Sequence, residues 1–207
     1  MVRSAGGPKS DEARRLIAEA ACDLVADAGM DHLSMRRVAS RLGVTTGYIT
    51  HYYSGKNDLL EAALLTALAE LAPPGGGWST NLEEWTEAAV SILPNTGGSP
   101  RFWRVLTVFQ AASLSSAPLS EVLNNYARST LDNLSAHLAD HFARTSDVEP
   151  TQEELDGLAR ALFAFTAGLG TTTVTTPGVL SADQVRALVR SGVEGLIAEF
   201  LRRRAGA

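Results

Sequence analysis

Residues 33–53, LSMRRVASRLGVTTGYITHYY, carry the same helix-start signal twice. Leu33, Ser34 and Val38 place an apolar residue, a side-chain oxygen and a second apolar residue where an N-cap with a hydrophobic staple requires them. Val44, Thr45 and Ile49 repeat the arrangement directly after Gly43. Two short helices joined by a glycine turn leave few folds open. Ala39 is small enough for close approach, so the stretch is predicted to be a helix-turn-helix whose first helix ends at Leu42. Upstream, Leu16, Ile17, Ala20, Ala21, Leu24, Val25 and Ala28 recur at three and four residues, which predicts a longer supporting helix ended by Gly29.

The second helix of such a motif enters the DNA major groove and reads base edges with its N-terminal residues. Ile49 is expected to face inward, which turns Thr46, Gly47 and Tyr48 outward as base-contact candidates, together with Arg36 in the first turn of the preceding helix. Thr45, Thr50, Tyr52 and Lys56 suit phosphate oxygens, and Lys56 opens the next helix, whose free N–H groups also favour an anion. Tyr53 follows Ile49 by four residues and is read as core. A net charge of −5 argues against a nucleic-acid partner only if it is spread evenly. Residues 1–60 carry eight Lys/Arg against seven Asp/Glu (+1), and residues 61–207 ten against sixteen (−6). Between Asp31 and Asp58 there is no acidic residue, whereas Arg36, Arg37, Arg41 and Lys56 all fall there.

The remaining chain also reads as helix, with stretches at about 81–93, 99–115, 118–143, 151–174 and 182–203. Pro73, Pro74 and Gly75 to Gly77 break the helix that starts near Lys56 and mark a boundary. The chain is 207 residues long and 45% hydrophobic, enough for a substantial core. Cys22, the only cysteine, excludes an internal disulfide and sits in an apolar stripe. With no apolar secretory block and no membrane-length run, the protein is expected to be cytoplasmic, with no membrane partner. No catalytic residues are expected: Ser, His and Asp occur, but without a G-x-S-x-G elbow. His137 and His141 have helical ligand spacing but no third and fourth partner, so neither metal nor cofactor is expected. The run GLGTTTVTTPG at 168–178 lacks phosphate-loop spacing and is read as a frayed helix end.

Gly43, Val44, Thr45, Gly47, Ile49, Thr50, Tyr52, Tyr53, Lys56, Leu59 and Leu60 together resemble the DNA-binding pattern of the TetR family of transcriptional regulators, and TGYITHYYSGKNDLL is most similar to its betaine-regulator branch. Thr50 departs from a common phosphate-binding Tyr, and Tyr52 from a frequent His. The resemblance covers residues 12–62 and implies an all-α fold: an N-terminal three-helix helix-turn-helix DNA-binding domain, then a larger helical ligand-binding and dimerisation domain. The corresponding boundaries are a flexible arm at 1–10, the DNA-binding domain at 11–56 and the effector and dimerisation domain at 57–207. It further implies a repressor that binds a double-stranded, palindromic operator as a homodimer and is released by a small-molecule effector, with a quaternary ammonium suggested by the branch. The family pairs its last two long helices between subunits, which points to Leu158, Leu162, Val189, Val193 and Leu196 as interface residues. An effector pocket would draw on Trp85, Phe102, Trp103, Phe109, Tyr126, Phe163 and Phe165. The alternative is a helical assembly module whose helix-turn-helix contacts protein instead of DNA.

Overall fold

The computed structural model describes residues 8–70 and 82–205, and among these are nine α-helices and no strand. Four helices come first: α1 (Pro8–Ala28), α2 (Met35–Leu42), α3 (Thr46–Tyr52) and α4 (Lys56–Ala69), with a 3-10 turn at Met30–His32. Five follow: α5 (Leu82–Ser91), α6 (Pro100–Ser113), α7 (Ala117–Thr145), α8 (Gln152–Thr175) and α9 (Ala182–Ala205). The expected proline and glycine boundary at 73–77 lies outside the described residues, as do the first seven residues of the expected arm. The last three residues of that arm are already helical, since α1 starts at Pro8.

Both short helices start where their caps are written. Ser34 Oγ accepts from the Arg37 N–H at 3.2 Å, with Leu33 and Val38 buried beneath it. Gly43 ends α2 in the left-handed region (φ 67°, ψ 28°), and the Val44 N–H donates to the Ala39 carbonyl at 3.0 Å. A side chain with a Cβ is strained in that conformation, so the glycine fixes the turn. Thr45 Oγ1 then accepts from the Tyr48 N–H at 3.2 Å and opens α3. Ile49 is buried but Val44 remains 36% exposed, so the second staple is only half closed.

α4 lies along α1, with Leu59, Ala63, Leu64 and Ala67 buried against Ile17, Ala21 and Val25 in one continuous core. Leu16 and Ala28 belong to the periodic stripe of α1 but face solvent. Leu68 of α4, with α6, carries the core into the second half. There, bulky rings sit in notches left by glycine: a Cβ at Gly170 would lie 2.2 Å from the Trp103 ring, and one at Gly192 would lie 2.3 Å from the Phe165 ring. α8 opens with a capping box between Thr151 and Glu154. It runs to Thr175, past the expected frayed end, and Thr173 and Thr175 turn their hydroxyls back to the carbonyls four residues earlier, each at 2.8 Å.

The expected subunit-interface residues are placed differently. Leu158, Leu162, Val189 and Val193 are buried inside one chain, where α8 packs on α6 and α7 and α9 packs on α5 and α8; Leu196 is partly covered. A protomer's own core takes its most apolar stripe first. Small residues recur on the faces left outside, at Gly157, Ala164 and Gly168 on α8 and at Ala187, Ser191, Gly195 and Ala198 on α9, beside exposed Arg160, Arg186, Leu188, Arg190 and Glu194.

Candidate DNA-reading surface and interhelical cavity

α3 is held from beneath and open above. Ile49 is fully buried, and Tyr53, at the end of the helix, donates its hydroxyl to the Arg14 carbonyl of α1 at 3.0 Å. Thr45, Thr46, Gly47, Tyr48 and Thr50 are exposed together on the opposite side, and Tyr52 is half-buried at its edge. The Tyr48 and Tyr52 rings meet edge to face at 5.2 Å, and the neighbouring Tyr52 phenol holds that of Tyr48 above its ordinary range. Tyr48 is thus a positioned, neutral group with a flat face and a hydroxyl.

Gly47 has no steric need to be glycine. An added Cβ would meet only Thr45 Oγ1, at an ordinary 3.8 Å. Helix propensity favours alanine there by up to about 1 kcal/mol, so the missing side chain is better explained by what approaches from outside.

The phosphate candidates separate by what their protons already do. Thr45 accepts its capping bond and keeps its hydroxyl proton for a further acceptor. Thr50 Oγ1 donates to the Gly47 carbonyl at 3.1 Å and must give up that bond to meet a phosphate. Lys56 is the exposed first residue of α4, and neither it nor exposed Arg36 forms an ion pair among the described residues. Arg41, counted by sequence with the cationic face, is turned away from it. Its guanidinium bonds Asp23 at 3.2 Å and Asp27 at 3.3 Å on α1.

Asp23 also accepts from Arg101 of α6, whose other nitrogen bonds Glu70 at the end of α4. Burial opposes the Arg101 charge, but the hydrogen bonds to Glu70 and Asp23 overcome it and hold its pKa above the ordinary value. The chain Arg41, Asp23, Arg101, Glu70 therefore links α2, α1, α6 and α4. Sequence reasoning missed it because its members lie up to 78 residues apart and carry no local signal.

A cavity of about 680 Å³ lies between α4 and α8 in the second half. Trp85 of α5, Ile92 just beyond its end, and Trp103 and Leu106 of α6 form its apolar side, and Phe163 adds to it from α8. Trp103 is fixed in place, its indole N–H donating to the Ile92 carbonyl at 2.7 Å. α7 forms the polar side with Asn124, Tyr126, Thr130, Asn133 and His137. Of the aromatic residues expected at a pocket, Trp85, Trp103, Tyr126 and Phe163 reach this wall. Phe102 and Phe109 are buried in packed core, and Phe165 covers Gly192 of α9 instead. The polar wall was missed by a search for aromatics, although amide and hydroxyl residues inside the apolar repeat of α7 were its signal.

These features define the class: a helix-turn-helix protein with an open recognition helix joined to a helical domain containing a cavity. Residues 13–63 match the family described as bacterial regulatory proteins, tetR family, and residues 82–198 match that of the BetI-type transcriptional repressor, C-terminal. The chain belongs to the TetR family of transcriptional regulators, with a C-terminal region of BetI type. It is 28% identical over 155 residues to the HTH-type transcriptional regulator BetI of Klebsiella pneumoniae, covering 70% of this chain and 76% of that protein. It is 22% identical over 204 residues to the regulator PksA of Bacillus subtilis, covering 93% of each. Among solved structures, a transcriptional regulator from Rhodococcus aligns with a TM-score of 0.73 at 22% identity, over 90% of this chain and 96% of that one. A putative regulator from Saccharomonospora viridis in complex with choline aligns at 0.71 and 22% identity, over 89% and 96%. No helix among the described residues is long and apolar enough to cross a membrane.

Proposed function

We propose that the protein is a repressor that binds a palindromic operator as a homodimer and leaves it when a small molecule fills the cavity. The observation that carries this reading is the outward face of α3, where Thr46, Gly47 and Tyr48 stand clear of a buried Ile49 and Tyr53. Thr46, Tyr48 and Arg36 read bases, Gly47 admits close approach, and Thr45, Tyr52 and Lys56 hold phosphates, with Thr50 joining once its bond to Gly47 opens. Residues 11–56 serve as the reading head and 57–207 as the effector and dimerisation unit.

Dimerisation uses the small-residue faces of α8 and α9, which allow a second pair of helices to come close. Release runs through α6: Trp103 and Leu106 stand on the cavity wall, and Arg101, near the start of the same helix, grips α1 and α4. A 10-fold to 100-fold loss of operator affinity needs about 1.4 to 2.7 kcal/mol of coupling.

Duplex binding followed against salt tests the reading. Affinity is expected to fall steeply, and Lys56→Ala to reduce the slope of log affinity against log salt by about one. Absence of duplex binding at low salt would leave the helix-turn-helix as a protein-assembly device.

A further inference from the structure

We infer that the cavity takes an uncharged, elongated ligand, an apolar body bearing carbonyl and hydroxyl groups, in place of a quaternary ammonium or a carboxylate. The inference deepens the effector reading above and depends on it for its regulatory consequence, though not for the binding itself.

The wall carries no Asp, Glu, Lys or Arg among the described residues. A quaternary ammonium placed here would lose its water and gain no counter-charge, and aromatic faces offset only part of that loss. A carboxylate would meet no fixed cation, His137 being the one basic side chain on the described wall. What the wall does offer is neutral and two-sided: the amides of Gln110, Asn124 and Asn133 each donate and accept. Thr130 already donates to the Tyr126 carbonyl at 2.9 Å and so presents an acceptor. Burial pushes the Tyr126 phenol above its ordinary value, which keeps it a donor. These groups pair with ketone, ester, amide and hydroxyl functions.

Shape points the same way. From Leu123 to His137 the α7 wall spans about 21 Å at 1.5 Å per residue. It runs opposite the apolar surface of Trp85, Ile92, Trp103 and Leu106. At about 680 Å³ the space falls within the range of drug-sized sites. A small ammonium such as choline leaves most of it unfilled.

Calorimetry on the full chain with probes of one apolar body and three heads tests the inference: monodecanoylglycerol, decyltrimethylammonium and decanoate, each below its micelle concentration, with choline as a fourth. The neutral probe is expected to bind at least about tenfold tighter than either charged one, and choline to show no heat at millimolar concentration. Asn133→Asp, which keeps the side-chain shape, is expected to strengthen decyltrimethylammonium by about tenfold and to exclude decanoate. Tightest binding of the cation by the unaltered chain, an unchanged ranking in Asn133→Asp, or binding of none of the probes overturns the inference. Duplex affinity read in the same samples separates the two ideas. A cation that binds tightest and releases duplex defeats the ligand class and leaves the effector reading standing; a neutral probe that binds without altering duplex affinity does the reverse.

Discussion

Gly47 shows how one residue can be suboptimal for its own fold and still be informative. It lies in the first turn of α3, where an added Cβ would make one ordinary contact, with Thr45 Oγ1. Gly47→Ala is therefore expected to stabilise the chain by up to about 1 kcal/mol in thermal unfolding while weakening duplex binding. A variant that gains stability and keeps full duplex affinity would remove the close-approach argument. Tyr48→Ala is expected to cost about 1 to 3 kcal/mol on the preferred duplex and much less on random duplex, the mark of a base contact. Equal losses on both would make Tyr48 a backbone contact. Cys22 offers a control on the fold itself: it is fully buried, and burial pushes its thiol up to about 11. Thiol alkylation near neutral pH is expected only after unfolding.

At the level of elements, what the sequence made legible was whatever chemistry acts locally. Ser34, Gly43 and Thr45 set the two short helices through caps and a left-handed turn, all within the reach of neighbouring residues. The inward placing of Ile49 and Tyr53 followed from four-residue spacing alone. Where two elements compete for one stripe, periodicity says that a face is buried but not against what. The family resemblance points Leu158, Leu162, Val189 and Val193 at a partner subunit, whereas the structure buries them in their own chain. Arg41 likewise had no sequence signal linking it to Asp23 and Asp27, one helix earlier. The four-residue ionic chain through Asp23 and Arg101 is the element-scale device that ties α6 to the reading head. Arg101→Met is expected to leave duplex affinity near that of the unaltered chain while reducing ligand-induced release from about 10-fold or more to under about 3-fold. Full release in that variant, measured by duplex anisotropy with saturating cavity ligand, would move the coupling elsewhere.

In the proposed dimer, two reading heads are joined through the small-residue stripes of α8 and α9, which exposed Arg160, Leu188 and Glu194 flank. A carboxylate set into that face is expected to disrupt pairing without touching the protomer core. Ala164→Glu and Gly168→Glu should shift sedimentation from dimer to monomer while leaving helical content unchanged, since both positions are exposed and a Cβ at Gly168 meets nothing within 4 Å. Duplex affinity is expected to fall with the dimer. The most direct measurement is selection of bound duplexes from a random pool by the unaltered chain, because it reports the reading surface and the symmetry of the assembly at once. The expected result is an enriched sequence with two inverted half-sites whose centres lie about one helical turn apart, 10 to 10.5 base pairs, or a multiple of it. Enrichment of a single asymmetric site, or no enrichment at all, would contradict the account.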